Sequence, residues 1–178
     1  DQFVTVFARY NHAIWPTQIG AYLLGGIAVA LLFWKPRDGD RAIAGILAAM
    51  WLWTAIAYHV LFFAGINKAA YLFAALFVIQ AGYLFYEGCW RGRIHFTESG
   101  PLAWLGLVFA AYAAILYPLI GVMTGHPYPA MPMFGVTPCP VTIFTFGMLL
   151  ATVPPISPWI LVIPFVWSLI GGSAAILL

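Results

Sequence analysis

Charged side chains are scarce in this sequence. They make up 7% of its 178 residues, whereas hydrophobic residues make up 64% and aromatic residues 17%. A soluble domain carries about a quarter of its residues as charges, because its surface must be solvated. The shortage of charge therefore excludes a water-soluble globular protein. It predicts an integral membrane protein whose first partner is the lipid bilayer, with no nucleic-acid partner.

Recognisable catalytic motifs are also missing. The sequence has no HExxH motif, no GxSxG nucleophile elbow, no glycine-rich phosphate loop and no paired carboxylates placed for acid–base catalysis. It has two cysteines, Cys89 and Cys139. The spans predicted below place them at opposite membrane faces, which excludes a disulfide between them. This pattern favours a protein that is not an enzyme.

Long apolar runs predict an all-α fold, a polytopic membrane bundle of about six transmembrane helices. A spanning helix needs about 20 apolar residues. Residues 1–15 are too short and too polar to cross, so they predict an N-terminal interfacial helix anchored by Tyr10 and Trp15. The predicted single transmembrane domain, residues 1–178, has spans near residues 16–34, 41–64, 69–87, 101–124, 139–153 and 159–178. Because the sequence starts without Met and stops within an apolar run, we expect it to be part of a longer protein.

The distribution of basic residues predicts an orientation. Basic residues in short loops tend to stay on the cytoplasmic side. Five of the seven lie in the first and third predicted loops, and only Arg9 and Lys68 lie in segments on the other side. The bias predicts that both ends of the sequence, and the segment between the fourth and fifth spans, face the periplasm or exterior.

The most unusual stretch, GHPYPAMPMFGVTPCP, lies between the fourth and fifth spans. Thiolate and thioether sulfurs select Cu(I) and similar ions, and imidazole suits several first-row metals. The stretch therefore predicts a soft-metal site at the outer membrane face, for copper or another soft metal ion. Its candidate ligands are Cys139, His126, Met131 and Met133, joined by His59 from the second span.

The same stretch has an ordinary structural interpretation. Membrane helices use Pro and Met freely, and a loop with five prolines can be stiff backbone packed over the mouth of the bundle. Met fills gaps in apolar cores more often than it binds metal. The spacing also matches no closed zinc motif. The sequence leaves both interpretations open.

Polar residues mark the third span as well. Gln80, Tyr83 and Glu87 fall at positions i, i+3 and i+7, so they share one helical face from mid-membrane to the cytoplasmic end. Polar groups at such depth face a partner helix or a water-filled cavity. Together with His59 they predict either a proton or ion path, or hydrogen bonds between helices.

Four stretches carry a family resemblance: YNHAIWP, AYHVLFFAGINKAAYLFA, FGVTPCPVTIFTFGMLL and VIPFVWSLIGGSAA. With them the sequence resembles, over nearly its whole length, a family of bacterial multipass membrane proteins of unknown function with an FGVxPCPxTIFTxG-like motif. The resemblance implies a multipass protein of the bacterial inner (plasma) membrane, but no reaction, substrate or cofactor. Besides His59 and Cys139, it implies as motif positions Asn11, Trp15, Asn67, Pro138, Pro140, Thr142 and the glycines Gly171 and Gly172.

Two classes of function remain open at this point. The outer His/Met/Cys cluster and the polar residues of the third span favour a small transporter, a channel-like protein or a soft-metal-handling protein. Short loops favour instead a non-catalytic accessory subunit of a larger membrane complex, such as an electron-transfer or photosynthetic complex. Partner membrane subunits or further copies of the chain would then pack on its many aromatic side chains, although aromatics also mark ordinary membrane interfaces.

Overall fold

The computed structural model describes the backbone of residues 2–177 and the side chains of residue 2 and residues 4–171. This part of the chain is all-helical and has no strand, which confirms the predicted fold class. Helices satisfy the backbone hydrogen bonds within their own segment, as an apolar surrounding demands. The helices of the described part are α1 (Gln2–Ala13), α2 (Thr17–Trp34), α3 (Gly39–Gly65), α4 (Ala70–Trp90), α5 (Pro101–Met123), α6 (Pro138–Leu150) and α7 (Val162–Leu177).

Four helices, α2 to α5, are long and apolar enough to cross a membrane, which indicates that the protein associates with one. Helix α6 has 13 residues, a length of about 20 Å at the helical rise. Helix α7 follows a 3-10 turn, Pro158–Leu161, and its described part is also short and apolar. The fifth and sixth crossings, the single domain and the span limits stay predictions. Leu178, the end of the sixth predicted span, lies outside the described residues.

At one end of the bundle, α1 packs against the segment 124–137. The Tyr10 hydroxyl donates a hydrogen bond of 2.6 Å to the Val136 carbonyl. Asn11 Nδ2 donates bonds of 2.7 Å to the carbonyls of Pro129 and Met131. Burial raises the pKa of Tyr10, so its hydroxyl keeps the proton that it donates. We call this the Asn11 end.

At the opposite end, which we call the Glu87 end, the connections before α3, before α5 and after α6 meet. Asp40 accepts a hydrogen bond of 3.1 Å from the Phe96 backbone N–H. Phe96 in turn forms an antiparallel bridge with Thr152. Lys35 pairs with Glu98, and this hydrogen bond holds the pKa of the Glu98 carboxyl below its usual range. Five of the seven basic residues, Lys35, Arg37, Arg41, Arg91 and Arg93, lie at the Glu87 end. Which side of the membrane this end faces stays a prediction.

Helix α3 lies at the centre of the bundle. In α3, 61% of the most apolar 18-residue stretch is buried, against 17% in α5. The indole of Trp51, which is fully buried, donates a hydrogen bond of 2.8 Å to Thr145 Oγ1 and so joins α3 to α6. Helix α5 is peripheral, and most of its surface is left for lipid or another chain.

Helices α5 and α6 cross at two glycines. A Cβ atom on Gly147 would stand 2.6 Å from the Gly106 carbonyl oxygen, and a Cβ on Gly106 would overlap the Gly147 carbonyl oxygen. Only glycine lets two helix backbones approach so closely, a device common in membrane bundles. The crossing fixes α6 and thereby the position of Cys139 in its first turn.

Candidate solute site around His59

His59 lies inside the bundle, in the second half of α3. Its side chain is 0% exposed, and neither ring nitrogen has a hydrogen-bond partner among the described residues. A neutral imidazole carries one N–H donor and one acceptor nitrogen, and buried polar groups are nearly always hydrogen-bonded. Two unsatisfied nitrogens on one buried ring therefore need an explanation.

Aromatic rings surround His59. Their centroids lie between 4.8 Å (Phe77) and 6.2 Å (Phe63) from the imidazole centroid, and the rings meet edge to face. The other three rings belong to Tyr58, Phe73 and Trp167. Edge-to-face contacts suit the ring quadrupoles. They position the imidazole firmly, yet they supply no ordinary hydrogen-bond partner for it.

The helix around His59 is itself unusual. Residues Thr54–Phe62 form a π-helical segment within α3. At its first residue, the Thr54 hydroxyl donates a bond of 2.8 Å to the Met50 carbonyl, an interaction that competes with the regular backbone ladder and bends helices. Short π-helical turns often occur at functional sites. Two further π-helical segments, Phe85–Trp90 and Tyr112–Leu116, lie in α4 and α5, so the backbone agrees with a site at His59 but does not identify one by itself.

Cys139 lies in the first turn of α6 and borders a cleft of about 230 Å³. Thr137 precedes the helix with extended backbone, and Pro138 takes the first helical position, where a missing N–H costs nothing. The Cys139 thiol contacts the Tyr117 hydroxyl and the Trp167 indole. The residues that line the cleft are Tyr117, Cys139, Thr142, Ile143, Trp167, Ser168 and Gly171.

Trp167 is the partition between this cleft and His59. Its ring centroid lies 5.3 Å from that of His59 and 5.1 Å from that of Phe77. The same indole lines the Cys139 cleft. There, the position that a Gly171 Cβ would take is 3.5 Å from Trp167 Nε1 and 3.3 Å from Cys139 Sγ. Cys139 and His59 thus lie near the same side chain, the indole of Trp167.

The other predicted metal ligands lie elsewhere. His126 is exposed, and its backbone N–H bonds to Gly121. Met131 is buried against Gly121, where a Cβ would stand 3.8 Å from its Sδ. Met133 packs in the apolar cluster near α1. Across the described residues, no group of three or more His, Cys, Asp or Glu side chains could hold a metal ion, so the soft-metal site stays a prediction.

Several motif positions have structural contacts. Asn67 Oδ1 accepts a bond of 2.9 Å from the Ala69 N–H in the turn before α4. Pro138 and Pro140 are buried in the first turn of α6. The Thr142 hydroxyl donates to the Pro138 carbonyl at 2.9 Å. These contacts explain why such residues suit their positions without any ligand.

Trp15 differs from these motif positions, because its side chain is exposed. It follows α1 and precedes α2, where an indole can lie at the level of lipid headgroups. Its predicted role as an anchor stays a prediction.

The polar residues of α4 bond to the segment that leads into α7. Gln80 Nε2 donates a bond of 2.9 Å to the Ile160 carbonyl, and the Tyr83 hydroxyl donates one of 2.7 Å to Ser157 Oγ. Glu87 lies 3.7 Å from an Arg93 nitrogen. Hydrogen bonds between segments therefore account for Gln80 and Tyr83, whereas an ion path stays a prediction.

Sequence reasoning did not single out Trp167 or Tyr117. Both are aromatic residues among many in an apolar chain, although Trp167 lies within VIPFVWSLIGGSAA, one of the four stretches that carry the family resemblance. Only the packing of α5, α6 and α7 brings them to Cys139.

A comparison with known protein families assigns the whole chain to one family. A protein-family model matches residues 1–178, and it is described as a family of unknown function, DUF6064. No curated protein and no solved structure matches the chain. The expected relation to an uncharacterised family is confirmed over the full sequence, while bacterial origin, multipass topology and the sequence motif stay predictions.

Proposed function

Since the chain belongs to this family of unknown function, we propose that it is a membrane protein that takes a small polar solute or a soft metal ion into a site beside His59. The solute enters from the Cys139 cleft, so the protein acts as a transporter or channel-like protein. One observation carries the proposal: His59 is fully buried while both of its ring nitrogens are unpartnered among the described residues.

A histidine at position 59 costs more free energy than a leucine would, unless its ring nitrogens have hydrogen-bond partners. A buried donor or acceptor without a partner costs about 1–3 kcal/mol. A leucine of similar size would avoid that cost in a surrounding of aromatic rings. An imidazole at this position is therefore best explained by a bound group that accepts from its N–H or donates to its bare nitrogen.

The arrangement along the bundle supports entry from the Asn11 end. Cys139 lies where α6 begins at that end, and Trp167 stands between the cleft and His59. Beyond Phe77, the side chains of Gln80 and Tyr83 continue along α4 toward the Glu87 end. Five of the seven basic residues lie at the Glu87 end, which supports an inner-membrane orientation with the Asn11 end outside.

His59→Leu tests the observation that carries the proposal. We expect the variant to gain about 1 kcal/mol in free energy of unfolding, because two unsatisfied nitrogens are removed from an apolar surrounding. His59→Gln, which keeps a buried donor and acceptor, serves as the control and shows no gain. The measurement is denaturant unfolding of the solute-free protein in detergent. A loss of several kcal/mol in His59→Leu would identify a hydrogen-bonded structural histidine and end the proposal.

The soft-metal version has its own test. We expect the purified chain, incubated with Cu(I) and washed, to retain about one copper ion, because a thiol is a preferred ligand of this ion. Cys139→Ser should lose it, while the control Cys89→Ser should keep it. Elemental analysis gives the ratio of copper to protein. If the wild type and Cys139→Ser both bind negligible copper, the soft-metal version of the proposal is wrong and a polar solute is the remaining ligand.

One observation favours an accessory subunit as the second candidate. Only 17% of the most apolar 18-residue stretch of α5 is buried. Beside it, α2 and α5 border an apolar cleft of about 380 Å³ at Gly25 and Gly26. A helix from a partner subunit or a second copy could pack on this apolar surface, where Gly26 leaves open space. Gentle extraction from the native membrane separates the candidates, since a stable larger assembly containing this chain would put the subunit role first.

A further inference from the structure

A second polar site lies at the Glu87 end, on the far side of the bundle from the Cys139 cleft. Three arginines, Arg37, Arg41 and Arg91, line a pocket of about 310 Å³ between the start of α3 and the turn after α4. Asp38, Asp40, Gly92 and His95 complete its wall. The pocket is independent of His59 and of the function proposed for it.

The carboxylates of the pocket form no short hydrogen bonds with its arginines among the described residues. Asp40 is already engaged, at 3.1 Å each, by His95 Nδ1 and the Phe96 N–H. Asp38 lies 3.9 Å from Arg41, which is beyond hydrogen-bond distance. Each guanidinium has five N–H donors in a planar fork. The Arg41 donors are therefore free for another acceptor.

The other two arginines are in a similar state. Arg91 lies 3.9 Å from Glu87 and 3.5 Å from the Tyr86 hydroxyl, and its guanidinium carbon lies 5.5 Å from the Tyr86 ring centroid. The planar face of the group thus rests on Tyr86, while its N–H donors have no short bond to a carboxylate among the described residues. Arg37 has no ion pair within the part of the chain that the structure describes. Among the residues that the structure describes, no carboxylate oxygen therefore lies within hydrogen-bond distance of the three guanidinium groups that line this pocket.

The backbone brings the turn close to one of these groups. Gly92 has a φ of +59°, and a Cβ there would stand 3.4 Å from Arg41 Nη2. A side chain at this position would be strained by the backbone and crowded by the guanidinium. Glycine lets the turn after α4 lie directly on Arg41, which limits where that side chain can go.

Two tryptophans place the pocket at the level of lipid headgroups. Trp34 ends α2 and is 80% exposed, and Trp90 ends α4 and is 75% exposed. Exposed indoles at the ends of apolar helices favour the boundary between hydrocarbon and headgroups. Guanidinium groups bind phosphate through paired hydrogen bonds, and basic pockets between membrane helices bind anionic headgroups. We infer that the pocket lined by Arg37, Arg41 and Arg91 binds the phosphate of an anionic phospholipid.

The test uses the full chain, freed of lipid in detergent, with phosphatidylglycerol as the probe. Native mass spectrometry gives its apparent Kd. We expect the double variant Arg37→Gln with Arg41→Gln to raise that Kd by about tenfold or more, because charge-assisted hydrogen bonds are lost. Arg93→Gln is the control. It removes one positive charge at the same end, at a residue that does not line the pocket, so its Kd should stay near that of the wild type.

Other outcomes contradict the inference. An equal loss of affinity in Arg93→Gln would show general attraction to the charged end of the bundle, and no loss in the double variant would show binding elsewhere. Phosphatidylcholine, which has the same apolar tails but no net charge, shows how much affinity comes from the charge of the headgroup. Glycerol phosphate and inorganic phosphate show whether a soluble phosphate binds as well as the lipid does. Equal affinity for these soluble anions would overturn the assignment to a lipid. Unchanged elution in size-exclusion chromatography confirms that each variant is folded.

Discussion

Gly147→Ala is expected to destabilise the protein strongly, because it adds a methyl group where two helix backbones touch. The new Cβ would stand 2.6 Å from the Gly106 carbonyl oxygen and 3.0 Å from the Ala110 backbone nitrogen. Both are backbone atoms, so no side chain can rotate away and the helices α5 and α6 must separate. We expect a loss of about 3 kcal/mol or more in free energy of unfolding, at the upper end of overpacking effects. Denaturant unfolding in detergent measures it.

Two exposed helix glycines provide matched controls. A Cβ at Gly20 or Gly82 would have no atom within 4 Å. Gly20→Ala and Gly82→Ala should therefore be neutral or stabilising by up to about 1 kcal/mol, since alanine favours the helix. If Gly147→Ala unfolds at the same denaturant concentration as these controls, the close crossing of α5 and α6 is wrong. The position of Cys139 relative to Trp167 would then be in doubt as well.

Trp167→Ala is expected to open His59 to small reagents. Removing the indole would extend the Cys139 cleft to the imidazole, because this ring contacts the imidazole and lines the cleft. The experiment introduces His59→Cys in a chain with Cys89→Ser and Cys139→Ser, and measures the rate of labelling by a small polar methanethiosulfonate. We expect Trp167→Ala to raise that rate by about an order of magnitude or more, because no local opening is then needed.

Phe77→Ala is the control for this experiment. Phe77 is fully buried and lies closer to His59 than Trp167 does, at 4.8 Å between centroids, but it does not line the cleft. Both truncations leave a cavity and cost about 3–5 kcal/mol, so the two variants are matched in stability. Slow labelling in Trp167→Ala, or equally fast labelling in Phe77→Ala, would contradict the role of Trp167 as the partition.

The sequence predicts the helices well because the reason for them is local. Apolar runs with few charges must form helices in a lipid surrounding, since each helix satisfies its own backbone. The helix Thr17–Trp34 follows the first predicted span closely, and Pro101–Met123 follows the fourth. Whether α6 and α7 also cross depends on how their short apolar segments meet their neighbours and the bilayer, which residue patterns alone do not determine.

For the candidate site, nearness in sequence does not determine which side chains meet. His126 and Met131 are close to Cys139 along the chain, and their backbone groups bond to Gly121 and Asn11 at the same end of the bundle. His59, far away in sequence, reaches the other side of Trp167 from Cys139. Side chains converge by packing across helices, and the sequence carries no spacing rule for that.

By itself, the sequence determined the helical fold class and the apolar character of helices long enough to cross a membrane, and it singled out His59 and Cys139 as polar groups among apolar residues. Composition and short-range patterns suffice for these because they reflect solvent and residue type. Only the tertiary structure decided that His59 is left without a hydrogen-bond partner among the described residues, and that Trp167 stands between it and the cleft. Both facts depend on which side chains meet when α3, α4 and α7 pack, and therefore on contacts between residues distant in the chain.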